Sequence, residues 1–242
     1  MLRLLALALA LGGCAATPPT NNAPRVLVYT NANGYVHASI PDGVAALTEL
    51  GASHGFTVEA TDDSLAFTPE RLVTYAAVVF LSTSGDVLGP AQEAAFEAYV
   101  EGGGGYVGVH AASDTEYEWP GYGRIVGAYF DNHPAIQEAT LDVVDPDHPA
   151  TRGLPARWTR TDEWYSFRAA PVGVDVLLRL DESTYEGGTM GDDHPIAWAH
   201  AVGDGRAVYT ALGHTAESYA EAAFRTHLAG AVCWAAALSC GR

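Results

Sequence analysis

Histidines stand at several points where the sequence predicts that a β-strand ends. Nine occur in the chain. His37 follows the first predicted strand, His110 ends the glycine-rich fourth, and His214 follows a late strand. In an open α/β sheet, ligands bind beyond the carboxyl ends of the strands, where loops converge on one rim. We therefore expect these three histidines to face one cleft, with His54 and His227 away from it.

Two more residues are candidates for the same cleft. His133 lies in Asp131-Asn-His-Pro134, and Glu163 lies in Thr161-Asp-Glu-Trp-Tyr165. Neutral imidazoles with one carboxylate suit Zn²⁺ or a similar divalent ion, while histidine also suits acid–base catalysis near neutral pH. No local zinc motif such as His-Glu-x-x-His occurs, so placement alone supports a metal. The catalytic candidates are His110, His214 and Glu163, and the candidate metal ligands are His110, His133 and His214.

Aromatic residues accompany these polar groups. Aromatic side chains could stack on a sugar ring, or they could pack as part of a lid, and both roles suit rings with a polar handle. The candidates for substrate binding are His37, Asp114, Tyr117, Trp119, Trp164 and Tyr165.

The remaining histidines have simpler explanations. His133, His148 and His194 each precede proline, and ordered turns alone would account for such pairs. We expect His54, His148 and His227 to be surface residues without a functional role.

The charge balance excludes some functions. The chain has 12 basic residues, all arginine, against 29 acidic residues, which gives a net charge of −17. The absence of lysine excludes Schiff-base catalysis by lysine and a P-loop lysine. An acidic surface repels phosphate backbones, so we expect no nucleic-acid partner, although solubility alone would explain the charge.

The N-terminus has the pattern of an export signal. A basic start precedes an apolar run from Leu4, which ends in Leu11-Gly-Gly-Cys14. This run is too short to span a bilayer, and small residues before a cysteine resemble a bacterial lipobox. The sequence predicts a lipoprotein signal over residues 1–14 with lipidation at Cys14, a flexible tether over 15–24, and a periplasmic or cell-surface protein held to the membrane by lipid alone. The alternative is a secretory signal cleaved near Ala15 or Ala16.

The rest of the chain alternates short apolar runs with amphipathic segments, which is typical of βα units. Strands are predicted at 25–30, 56–60, 77–81, 105–110, 137–144, 158–167, 174–180, 195–200 and 205–212. Helices are predicted at 40–50, 69–75, 90–101 and 215–238, the last with an interruption, and a loop with a short helix over 114–129. The pattern predicts one α/β domain over 25–238, with a mostly parallel sheet covered by helices on both faces. Whether Cys233 pairs with Cys240 stays open.

Several motifs together resemble the ThuA-like family, named after trehalose utilisation. They are Gly103-Gly-Gly-Tyr-Val-Gly-Val-His-Ala-Ala-Ser-Asp114, Gly127-Ala-Tyr-Phe-Asp-Asn-His-Pro134, Asp162-Glu-Trp-Tyr165, Asp193-His-Pro-Ile-Ala-Trp198 and Thr210-Ala-Leu-Gly-His214. The resemblance implies a flavodoxin-like fold related to class I glutamine amidotransferases. His110 stands where those enzymes carry a nucleophilic cysteine, so amidotransferase activity is not expected. Family members commonly have an aromatic residue, arginine and histidine near the first strand, and here Val36 replaces the arginine.

The resemblance also implies a role in carbohydrate metabolism. The first hypothesis is an exported enzyme that acts on a sugar or keto-sugar derivative by hydrolysis, elimination or isomerisation. The alternatives are a non-catalytic sugar-binding module and a scaffold without a pocket in a sugar-processing assembly. The sequence leaves open whether the protein is an enzyme.

The lipobox is testable by fractionation. We expect the wild-type protein to partition with membranes, and Cys14→Ser to release soluble protein or to block processing, because the substitution removes the acylated sulfur. Recovery of soluble wild-type protein with an N-terminus downstream of Cys14 would contradict the assignment.

Overall fold

A computed structural model describes residues 23–239, so the predicted signal segment, Cys14 and Cys240 lie outside the described residues. The strands are β1 (Arg25–Tyr29), β2 (Thr57–Thr61), β3 (Ala77–Leu81), β4 (Gly105–Val109), β5 (Phe130–Asn132), β6 (Gln137–Val143), β7 (Arg157–Asp162), β8 (Ser166–Phe167), β9 (Asp175–Asp181), β10 (Pro195–Val202) and β11 (Gly205–Thr210). The α-helices are α1 (Ile40–His54), α2 (Pro69–Leu72), α3 (Pro90–Glu101), α4 (Pro120–Val126), α5 (Ala216–Ala220) and α6 (Ala222–Ala235).

Nine strands form one sheet in the order β2-β1-β3-β4-β11-β10-β9-β6-β7. The first five are parallel, in the 2-1-3-4-5 order of flavodoxin-like folds, which confirms the predicted α/β class. From β11 to β7 each strand pairs antiparallel with the next, so half of the sheet departs from the parallel pattern. A two-stranded sheet of β5 and β8 completes the strands.

Two groups of helices pack on the sheet. Helix α1 packs with α5 and α6, and α3 packs with α2 and α4. Strands β3 and β4 are buried at every residue, because helices shield both of their faces. The carboxyl ends of the parallel strands remain open to loops, which is where the predicted site belongs.

Side chains of the edge strand β7 contact the helices α5 and α6 and the turn between them. The Trp158 indole donates a hydrogen bond to Glu221 at 2.6 Å, and Arg160 donates one to Ser218 at 2.7 Å. The Arg160 guanidinium also lies 4.9 Å from the Phe224 ring centre. Since Ser218 is on α5 and Phe224 is on α6, these contacts bring the end of β7 close to the β11–α5 loop.

Some local expectations needed correction. Helix α1 continues to His54 and ends at Gly55, whose φ of 84° favours glycine. Gly51, the first residue after the predicted helix 40–50, is instead buried within α1. The predicted strand over 158–167 is two strands, because the chain leaves the main sheet after Asp162 and β8 pairs with β5.

The expectation that His227 lies at the surface was wrong. Its side chain is fully buried on α6, where its Nδ1 lies 2.7 Å from the carbonyl oxygen of Ala150. A carbonyl only accepts hydrogen bonds, so Nδ1 carries the proton. Burial lowers the pKa of His227 to about 4, and the imidazole is neutral in the folded core.

Two findings concern the expected membrane attachment and the cysteines. In the range 23–239, no helix has the length and apolar character needed to cross a membrane. Cys233, on α6, is disulfide-bonded.

Burial of His227 predicts a pH dependence of folding. The unfolded chain binds a proton at this residue below about pH 6.5, whereas the folded chain resists it down to its lowered pKa. Stability is therefore lost as pH falls through this window. His227→Gln can still donate to Ala150 but does not titrate, so we expect its urea midpoint to fall less between about pH 7 and pH 5 than the wild-type midpoint.

The matched control is His54→Gln, which alters a half-buried histidine at the end of α1. It should follow the wild-type pH dependence. Parallel curves for wild type and His227→Gln would contradict the assignment of this proton.

Candidate functional site

His110 occupies a sharp turn at the end of β4. Its φ is 51°, a left-handed conformation that is uncommon for residues other than glycine, and a short 3-10 helix, His110–Asp114, begins there. The side chain is fully buried. A strained strand-to-helix turn is also how related α/β enzymes present a nucleophile above the sheet. The backbone here presents an imidazole instead.

A buried carboxylate holds two other site segments together. Asp162, at the end of β7, accepts hydrogen bonds from the backbone N–H groups of Gly213 at 2.8 Å and His214 at 3.1 Å. It also accepts from the N–H of Glu163 at 3.0 Å, and Arg160 lies 3.1 Å away as its counter-ion. Asp162 is fully buried. It thereby fixes Glu163 and His214 beside each other, although their strands lie far apart in the sheet.

His37 enters the site from the loop between β1 and α1. It is 4% exposed, and its ring centre lies 4.8 Å from that of His110 and 5.0 Å from that of His214, with the planes nearly perpendicular. Its Nδ1 is buried and has no hydrogen-bond partner among residues 23–239. Ser39 stands at the N-cap of α1, but its side chain makes no capping hydrogen bond. A helix cap by Ser39 therefore does not explain why the loop places His37 at this position.

These side chains form a compact group of donor atoms. One nitrogen from each of His37, His110 and His214, and one oxygen of Glu163, all lie within 4.8 Å of one another. The closest separations are 3.0 Å between His110 Nε2 and His214 Nδ1, 3.0 Å between His214 Nδ1 and Glu163 Oε2, and 3.4 Å between His110 Nε2 and Glu163 Oε2. We call these four residues the His₃Glu cluster.

The hydrogen bonds leave this cluster with more acceptors than protons. His110 Nδ1 lies 2.8 Å from the carbonyl oxygen of Ala211 and must donate to it. Nε2 of neutral His110 is then an acceptor, and it faces a carboxylate oxygen that is also an acceptor. The single N–H of neutral His214 can satisfy one of them well. The centre of the cluster therefore suits a cation, either an extra proton or a metal ion.

The pKa shifts in the cluster also favour a cation at its centre. Burial, together with the neighbouring His110 and His214, lowers the pKa of His37 to about 3, so this ring is neutral. Burial alone would raise the pKa of Glu163, but the adjacent imidazoles of His110 and His214 outweigh it and hold the pKa well below its usual range. The same carboxylate raises the pKa of His214 against the effect of its burial.

His133 and Tyr165 flank the cluster without belonging to it. His133 Nδ1 lies 3.1 Å from Glu163 Oε1, the oxygen that faces away from the other histidines, and its side chain is 40% exposed. The Tyr165 ring packs on His110 with 4.3 Å between ring centres. His133 thus orients Glu163, and Tyr165 restricts the His110 ring.

The other predicted aromatic residues are occupied by packing. The Tyr117 hydroxyl donates to Asp114 at 2.6 Å, and Arg168 covers the Tyr117 ring at 3.9 Å. Trp119 is 9% exposed and packs on Tyr122. Trp164 is fully buried, and its indole donates to the carbonyl of Gln137 at 2.9 Å. Neither tryptophan presents an open ring to a sugar.

Sequence reasoning missed two supporting groups. Asp162 was noticed only as part of the Asp-Glu-Trp-Tyr motif, because its burial and its partners Gly213 and His214 depend on a distant segment of the chain. The carbonyl of Ala211, which fixes the proton of His110, has no sequence signal because any residue provides it.

Asp162 provides a test of how the site is held. Asp162→Asn places an amide where three backbone N–H groups converge and removes the negative charge that pairs with buried Arg160. We expect a loss of about 3–5 kcal/mol in the free energy of unfolding, measured with urea. Asp193→Asn is the control, since Asp193 pairs with Arg179 at the exposed surface and should cost much less. Equal losses in the two variants would refute the role of Asp162 as a clamp that holds Glu163 and His214 together.

Known proteins share this fold and sequence pattern. A ThuA-like protein from Bacteroides uniformis is 26% identical, covering 92% of this chain and 95% of that one, with a TM-score of 0.75. A ThuA-like protein from Parabacteroides merdae is 24% identical over 88% of this chain and 90% of that one, with a TM-score of 0.74. A Bacillus circulans β-galactosidase shares the fold alone, at 13% identity over 88% of this chain and 31% of that one, with a TM-score of 0.58.

No curated protein has a significantly similar sequence. The ThuA family model, described as "Trehalose utilisation", matches residues 25–235. That match spans nearly all of the described residues, and the chain belongs to the ThuA family.

Proposed function

We propose that the protein is a divalent-metal-dependent, carbohydrate-active protein, with Zn²⁺ held by the His₃Glu cluster. The observation that carries the proposal is the convergence of four donor atoms within 4.8 Å of one another in a largely buried setting. Imidazole nitrogens with one carboxylate are a ligand set that Zn²⁺ favours.

The donor separations fit such an ion. Zn–N bonds of about 2.0–2.1 Å in a tetrahedron separate ligand atoms by about 3.3–3.4 Å. The three closest separations in the cluster are 3.0, 3.0 and 3.4 Å. Zinc-binding histidines usually donate their other N–H to a carbonyl or carboxylate, and His110 does so to Ala211. The contact of His133 with Glu163 is a second support of the same kind.

The proposal places the substrate at the exposed side of the cluster. The side chains of His214 and His133 are 17% and 40% exposed, whereas His110 has no exposed surface. A bound divalent ion would polarise a substrate oxygen or acidify a bound water. His133 lies at the exposed side of Glu163, where an imidazole can take up or deliver a proton. This arrangement suits hydrolysis or proton transfer next to a carbonyl.

The substrate class rests on the family description. The family's link to trehalose utilisation supports a sugar or an oxidised sugar as ligand. Export as a lipid-anchored protein is part of the same proposal and rests on the Leu11-Gly-Gly-Cys14 motif. A non-catalytic sugar-binding module is the second candidate from the family resemblance.

A metal-free acid–base site is the alternative that the geometry favours next. His214 Nδ1 lies 3.0 Å from both His110 Nε2 and Glu163 Oε2, so a single extra proton could satisfy the cluster. Metal analysis separates the two chemistries.

Cobalt substitution tests the proposal. We expect the full chain to bind one equivalent of Zn²⁺ or Co²⁺, and the cobalt form to show the visible absorption of a tetrahedral site. His110→Ala and Glu163→Gln should each weaken metal binding at least about tenfold, because each removes one ligand. The apo form of His110→Ala should lose at most about 1–2 kcal/mol of stability if the residue is a ligand rather than core packing.

His54→Ala is the matched control. It alters a histidine at the far end of α1, about 20 Å along the helix from the site. It should bind cobalt like the wild type. Unchanged metal binding in His110→Ala with a large fall in its urea midpoint would refute the metal site, and wild-type protein without metal affinity would favour the acid–base alternative.

A further inference from the structure

Two apolar side chains are exposed immediately beside the cluster. Tyr35 is 63% exposed and Val36 is 67% exposed, and both precede His37. The Tyr35 ring packs edge-on against His37, with 4.7 Å between ring centres. A tyrosine that touches a candidate metal ligand and still presents most of its surface to solvent is placed to contact whatever approaches that ligand.

The loop that carries these residues is fixed to its neighbour. The N–H groups of Asn33 and Gly34 donate to the carbonyl of Ser84 at 2.8 and 3.1 Å, and the Ser84 hydroxyl donates to the carbonyl of Tyr35 at 2.8 Å. The two loops approach so closely that a Cβ on Gly85 would lie 2.9 Å from the nitrogen of Gly34. The backbone that carries Tyr35 is therefore held in place beside the cluster.

The other aromatic residues near the cluster cannot take this role. Tyr165 is 3% exposed and packs on His110, while the Tyr117 ring is covered by Arg168. Both are held by contacts within the fold. Of the rings shown above to touch a cluster histidine, Tyr35 is the one with a largely open surface.

We propose that Tyr35 and Val36 form a platform on which a hexopyranose ring stacks, with its hydroxyl groups directed to the His₃Glu cluster. The proposal rests on the proposed function and adds the means of substrate recognition. One face of a pyranose presents C–H groups, which pack on an aromatic ring, while its hydroxyls remain free for polar contacts. An acyclic polyol carries similar hydroxyls but no rigid apolar face, so the platform predicts discrimination between the two.

The experiment measures sugar binding to the zinc-loaded full chain by titration calorimetry. The probes are trehalose and methyl α-D-glucopyranoside, with sorbitol as the acyclic comparison. We expect both pyranosides to bind more tightly than sorbitol, Tyr35→Ala to weaken their binding about five- to tenfold, and Tyr35→Trp to retain it. Val36→Ser should weaken binding less, and Val172→Ser, at a valine that is 87% exposed in another loop, should leave it unchanged.

Several outcomes would overturn the platform. They are the absence of pyranoside binding to the wild type, equal binding by Tyr35→Ala, and a change of oligomeric state in Tyr35→Ala, which would make this surface a contact between copies of the chain. Cobalt absorption of Tyr35→Ala should match the wild type, which separates the platform from the metal site. If the wild type binds no cobalt, the metal proposal fails, and Tyr35-dependent sugar binding would still support the platform.

Discussion

The buried carboxylate of Asp162 is the interaction on which the site depends. It lies at the end of the edge strand β7 and accepts hydrogen bonds from the loop that follows the central strand β11. Sheet pairing alone leaves these two chain segments four strands apart. The clamp closes that distance, and Arg160 makes burial of the negative charge tolerable. Glu163 and His214 adjoin the clamp on either side, so their positions follow from it.

A second constraint acts on His110. The left-handed backbone turns its ring above the sheet, the carbonyl of Ala211 fixes its proton, and Tyr165 packs on its face. Each restriction removes one freedom of the imidazole: its position, its tautomer and its orientation. Such preorganisation is what both a metal ligand and an acid–base group require. The cluster is therefore built for a defined chemistry, with its excess of acceptors at the centre.

Part of this site was accessible from sequence because the relevant signals are local. A glycine run followed by a buried strand placed His110 at a strand end, and the late strand did the same for His214. The roles of Trp164 and His227 were not accessible, because burial of a side chain depends on segments distant in the chain. For His227 a weak signal existed, since the residues after it, Leu228 to Cys233, are small or apolar and indicate a helix buried along much of its surface. The turn Val202-Gly-Asp-Gly205 predicts that β10 and β11 pair as a hairpin, which the structure confirms. The antiparallel pairing of β9, β6 and β7 was not predicted, because strand direction there depends on long-range contacts.

The position of β11 has a consequence for how the chain acquires its structure. This strand is the last of the main sheet in sequence, yet it lies at its centre, between β4 and β10. Until it is in place, β4 presents an open edge and the two halves of the sheet are not joined. Before β11 is synthesised, the strands β2, β1, β3 and β4 can thus form a four-stranded parallel unit with an unprotected edge. The sheet is completed only when nearly the entire chain is available, so the topology has a high contact order and folds slowly. Truncated fragments that lack β11 would expose the edge of β4 and associate edge to edge.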